Sequence, residues 1–137
     1  MSVKSQWIAC FLRDLFPESA MEHYGLLLPC KDLIEGIGLG SNEFNHPPSF
    51  FYALYQRARE DGFKLTCHCD VAQPNTREHI RQVAENLGGT GAERNDHGLD
   101  AASSPELVNL IKRKGTAMTL CLGLLPTSHR RKLVWVS

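Results

Sequence analysis

Apolar residues along this chain fall in short runs separated by longer amphipathic stretches, a rhythm that predicts strands alternating with helices. Gln6-Trp7-Ile8-Ala9-Cys10-Phe11-Leu12 is a compact apolar run closed by Arg13 and Asp14, and it reads as a buried strand. Phe16-Pro17-Glu18-Ser19 opens a helix, because proline suits the first turn and a glutamate suits the positive helix end. Ala20, Met21, Tyr24, Leu27 and Leu28 give that helix its apolar stripe, and Pro29 limits its length. Leu33 to Gly40 is the second strand, and its three glycines admit the close approach of another backbone or a ligand. After a loop from Ser41 to Pro48, Ser49 is expected to cap a helix carrying Phe50, Phe51, Leu54, Tyr55 and Ala58, with Gly62 ending it. The third strand runs from Lys64 to Asp70. A polar loop from Val71 to Asn75 precedes a helix from Thr76, with Glu78, His79, Ile80, Val83 and Leu87, stopped by Gly88 and Gly89. Ala92 to Leu99 reads as the fourth strand, Ser104-Pro105-Glu106 as a helix start before Leu107, Leu110 and Ile111, and Ala117 to Leu122 as the fifth strand. Five strands joined by four helices imply a parallel α/β sheet, since parallel neighbours need long crossovers.

The third strand, Lys64-Leu65-Thr66-Cys67-His68-Cys69-Asp70, carries the densest chemistry. Strand alternation places Thr66, His68 and Asp70 on one face and Leu65, Cys67 and Cys69 on the other. Catalytic groups in α/β folds gather at the ends of parallel strands, where His68 and Asp70 fall, and His97 sits near the end of the next strand. Two imidazoles on neighbouring strand ends are a metal or acid–base arrangement; local packing and hydrogen bonding of each is the competing account. The one-residue gap between Cys67 and Cys69 is neither zinc-knuckle nor redox spacing and reads as structural burial. His23, His46 and His79, in helix or loop positions, read as surface groups.

Composition narrows the picture. With 137 residues and 42% hydrophobic positions, one domain with a real core is expected. Fifteen basic residues balance fifteen acidic ones, so no net field draws nucleic acid or an anionic membrane. The Arg130-Arg131-Lys132 run reads as part of a solvated tail. No run approaches the roughly 20 apolar residues of a membrane span, and five cysteines without framework spacing favour a reducing, cytoplasmic compartment.

Three linked segments carry a family likeness. Gly36-Ile37-Gly38-Leu39-Gly40-Ser41-Asn42-Glu43 with Pro47-Pro48 and Phe51, then Leu65-Thr66-Cys67-His68, then Arg94-Asn95-Asp96-His97-Gly98, resemble in order and spacing three consecutive signatures of the adenosine and adenine deaminases. The resemblance runs from about Trp7 to Cys121. It implies a partial (β/α)8 TIM barrel, about strands three to seven, with residues 1–121 as the central part of a deaminase-like domain and 122–137 as a divergent tail. Open sheet edges of such a partial barrel favour self-association.

The resemblance also implies roles. His68 would be a zinc ligand, His97 would orient the nucleophile and stabilise charge, and Glu43 and Asp96 would support the site. Ser41 and Gly40 would face a small purine, and Ser41 with the Pro47-Pro48 pair is similar to the adenine-type branch. The implied reaction is zinc-dependent hydrolysis at C6 of the purine with loss of ammonia. Cys69-Asp70-Val71 replaces the family's Ala-Gly-Glu, so Val71 stands at the proton-shuttling glutamate and Asp70 becomes the substitute acid–base. Gly40 replaces an aspartate, and Asn95 puts an amide where the strand usually has an apolar residue. The family's His-x-His pair and metal-binding aspartate have no counterpart in this sequence. A catalytically inactive remnant that acts by binding is the alternative these departures suggest.

Overall fold

The computed structural model describes residues 5–69 and 73–121. The strands β1 (Trp7–Leu12), β2 (Ile34–Gly40), β3 (Lys64–Cys69), β4 (Arg94–His97) and β5 (Ala117–Thr119) form one parallel sheet in sequential order. Between them run α1 (Pro17–Leu27), α2 (Tyr52–Glu60), α3 (Thr76–Glu85) and α4 (Pro105–Lys114). When every crossover steps to the next strand with the same right hand, all helices land on one face of the sheet. That is the winding of a (β/α)8 barrel, with five of its strands present here.

Alternation along the strands decides what is buried. Phe11, Ile37, Leu39, Leu65, Cys67 and Cys69 point into a core shared with Tyr24 of α1, Leu54, Tyr55 and Ala58 of α2, Ile80 and Val83 of α3, and Leu107 and Leu110 of α4. The opposite face carries Ile8, Cys10, Thr66, His68, Arg94 and Asp96, of which only Thr66 is fully buried. A methyl group at Gly36 would lie 2.5 Å from the Lys64 carbonyl oxygen, and one at Gly38 would lie 2.9 Å from Cys10 Sγ. The glycines of β2 therefore let its neighbours close in, as the sequence suggests.

Several boundaries differ from expectation. A single 3-10 turn, Pro48–Phe51, precedes α2, and Ser49 does not cap it: the Ser49 amide donates instead to Gln82 Oε1 at 3.1 Å. Ser104 does cap α4, accepting from the Leu107 amide, and Gly115 ends that helix in the left-handed region. β4 and β5 are shorter than the expected Ala92 to Leu99 and Ala117 to Leu122, and pairing between them covers only Arg94 to Asp96 against Ala117 to Thr119. Residues 122–137 lie outside the described residues, as do Asp70 and Val71. All five cysteines are free thiols, and among the described residues no helix is long and apolar enough to cross a membrane.

Candidate functional site

The site forms where β2, β3 and β4 end. His68 and Asp96 are register partners across β3 and β4, and Cys69 pairs with His97. His97 leaves the strand with φ of +63°, a conformation uncommon for a residue with a side chain, and Gly98 follows at +61°. Two successive left-handed residues turn the chain sharply, and the Gly98 amide donates to the Cys69 carbonyl at 2.8 Å. The left-handed φ of Gly98 is strained for any residue with a side chain, which accounts for glycine in Asp-His-Gly. The turn brings the His97 ring edge-on to His68, with centroids 4.3 Å apart and planes at 83°. Backbone strain of this kind tends to be retained where it positions a working side chain.

Glu43 enters from the loop after β2. It is 4% exposed, and its Oε1 lies 2.5 Å from His68 Nδ1. The same oxygen is 3.3 Å from Nη1 of Arg13, whose side chain is wholly buried, and its other oxygen lies 4.0 Å from His79 Nδ1. One carboxylate thus faces an arginine and two histidines. Ser41, at the end of β2, has φ of +77°, a left-handed conformation that glycine adopts more readily than serine. Among the described residues a methyl group at Gly40 would meet nothing within 4 Å, so there the β2 end opens onto free space.

Below His68 the same face holds a polar ladder. Thr66 Oγ1 donates to Asp96 Oδ2 at 2.8 Å, Arg94 Nε donates to Thr66 Oγ1 at 3.1 Å, and Arg94 pairs with Asp96 Oδ1 at 2.9 Å. Asp96 therefore braces β3 against β4. On the opposite face, burial pushes the Cys69 thiol well above its ordinary range, in keeping with a structural rather than a reactive thiol.

Of the residues named from sequence, His68, His97, Glu43 and Asp96 come together, and Gly40 and Ser41 flank them at the β2 end; Asp70 lies outside the described residues. The surface assignment of His79 is corrected: it is 5% exposed and shares the buried side of α3 with Ile80, Val83 and Ala84. His46 is half-buried, with its Nδ1 fully covered. The sequence pattern marks Arg13 only as the close of the first strand. His79 was findable, since it precedes Val83 by one helical turn; the burial of Arg13 left no signal in the local pattern.

Sequential β/α units in one parallel sheet, with a histidine–carboxylate cluster at the strand ends, define part of a (β/α)8 barrel whose candidate site lies where such barrels place theirs. A family model described as adenosine deaminase matches residues 1–131. An uncharacterized deaminase of Schizosaccharomyces pombe is 46% identical over 119 residues, covering 87% of this chain and 34% of that protein. The crystal structure of adenine deaminase from Arthrobacter aurescens superposes with a TM-score of 0.75 at 33% identity, covering 93% of this chain and 37% of that one. An amidohydrolase from Burkholderia ambifaria, solved with bound Zn, gives 0.78 at 24% identity, covering 91% and 35%, and supports the fold. This chain belongs to the adenosine deaminase family and spans about a third of the length of the relatives it matches.

Proposed function

We propose that this chain supplies the central strands of a zinc-dependent purine aminohydrolase, of the adenine-deaminase type, which removes the 6-amino group by hydrolysis and releases ammonia. The observation that carries this reading is His68, held through Nδ1 by a buried carboxylate and set against His97 at the strand ends. A histidine whose one ring nitrogen is engaged by a carboxylate is the usual form of a zinc-ligating histidine, and imidazole suits zinc. Among the described residues no group of three or more His, Cys, Asp or Glu side chains is placed to hold a metal ion, and in this reading His68 is one ligand of a larger shell.

Zinc, when bound, supplies the Lewis acidity that makes water nucleophilic near neutral pH. The chain's own residues do the rest. Glu43 orients His68. The Nδ1 of His97 is buried without a hydrogen-bond partner among the described residues, which leaves a ring nitrogen available to charge that develops beside it. Ser41 and Gly40 border the free space at the β2 end, where the purine would sit, and Asp96 keeps β4 aligned with β3. Asp70 carries the proton in this reading, since Val71 cannot.

Val71 also favours a second reading, a protein that binds a purine without turning it over. Zinc content and ammonia release from adenine and adenosine separate the two. The purified chain is expected to bind zinc weakly, and His68→Ala to abolish that binding; an unchanged zinc stoichiometry in the variant overturns the assignment. Purine binding with no ammonia released selects the second reading.

A further inference from the structure

Arg13 has no exposed surface, and the proposed chemistry makes no use of it. It follows the last residue of β1, and its amide donates to the Gly40 carbonyl at 3.0 Å, carrying the β1–β2 pairing to the very ends of both strands. From there the guanidinium reaches the loop after β2 at two points and β3 at one. Nε donates to the His46 carbonyl at 2.9 Å, Nη1 donates to the His68 carbonyl at 2.7 Å, and Nη1 lies 3.3 Å from Glu43 Oε1. That oxygen is the one facing His68 Nδ1.

A guanidinium keeps its charge even when buried, and its donors lie in a rigid plane. With two of them tied to backbone carbonyls, the plane cannot turn, so the cation is fixed relative to the backbone of His68. Nη2 is buried with no hydrogen-bond partner among the described residues, so the group is not arranged to satisfy all of its own donors. It is arranged to hold others. A buried guanidinium needs a nearby counter-charge, which draws Glu43 Oε1 to one place. A carboxylate oxygen in that place accepts a hydrogen bond, and His68 must then present Nδ1 as the donor.

We propose that Arg13 is a positioning residue that locks Glu43 and the His68 backbone into one frame, so that His68 stands with Nδ1 protonated and Nε2 as its electron-pair donor. The use of that electron pair for zinc rests on the function proposed above; the frame itself does not.

The test is side-chain nitrogen NMR of the histidines in the metal-free chain, followed upward in pH until the His68 signals stop moving and its ring is neutral, together with zinc titration. Native His68 is expected as the Nδ1–H tautomer. In Arg13→Lys and Arg13→Gln that tautomer gives way to a mixture, and zinc affinity falls about tenfold to a hundredfold. An arginine that merely braced the strand ends would alter stability and leave the tautomer alone. Native His68 found as the Nε2–H tautomer overturns the proposal even if neither variant folds. So does a folded Arg13→Lys with the tautomer unchanged. If native chain takes up no zinc yet the tautomer responds to Arg13, the positioning role stands and the metal reading fails.

Discussion

Asn95 occupies a site with no exposed surface, and neither its Oδ1 nor its Nδ2 has a hydrogen-bond partner among the described residues. Burying an unpaired amide costs on the order of 1–3 kcal/mol, whereas an apolar side chain of the same shape carries no such cost. Leucine has nearly the shape of asparagine. Asn95→Leu is therefore expected to raise unfolding stability by about 1–2 kcal/mol in a denaturant titration. A loss of stability would mean that the amide has a partner or that Gly98, packed against it, cannot tolerate the branched end. The same scale separates what the sequence disclosed from what it hid. His68 and His97 were legible because strand alternation and a strand-end position need only local pattern. Arg13 was not, because its burial is made by Glu43 and two carbonyls from distant segments, and an arginine closing an apolar run ordinarily faces water.

Between elements, Tyr55 joins α2 to β3, its hydroxyl donating to the Thr66 carbonyl at 2.6 Å in the core. Burial, reinforced by the nearby Cys67, pushes its ionisation well above the ordinary value of 10.0. The sign follows from which state releases the proton. Below pH 10 both states keep it; above pH 10 only the unfolded chain gives it up, so stability falls as pH rises toward the folded-state value. The slope is about 1.4 kcal/mol per pH unit for one proton. Urea titrations between neutral pH and about pH 11 are expected to show that decline, and Tyr55→Phe to flatten it by about one proton, from a lower starting stability because the Thr66 carbonyl loses its donor. An unchanged slope in the variant would place the alkaline loss elsewhere. Helices were the most legible elements, since Pro17, Ser104, Gly62 and Gly115 act through the backbone of their own turn. Strand lengths were less so: β4 and β5 stop where their partner stops, which an apolar run such as Ala117 to Leu122 does not reveal. The 3-10 turn before α2 was hidden for a similar reason, because the Ser49 amide is met by Gln82 of α3.

Taken whole, the described sheet has helices on one face only, and its other face and first edge carry apolar side chains. Ile8 and Leu12 lie on the face away from the helices, Trp7 is 71% exposed on the edge strand, and Leu33 beside it is 72% exposed. In a closed (β/α)8 barrel such positions are covered by neighbouring strands and helices, and an uncovered edge strand offers a row of backbone donors and acceptors. For the 137-residue chain taken alone, contact with a second copy is one way to cover them. Sedimentation velocity is expected to show an average mass that rises with concentration across the micromolar range, and Trp7→Lys, which puts a solvated charge on the edge, to shift that rise to higher concentration. His68 and Glu43 stand at the strand ends, away from Trp7, so zinc binding in the variant should match the unsubstituted chain. A mass that stays at one chain over the whole range would show that this exposed edge does not drive association, and the lysine would then leave the mass unchanged.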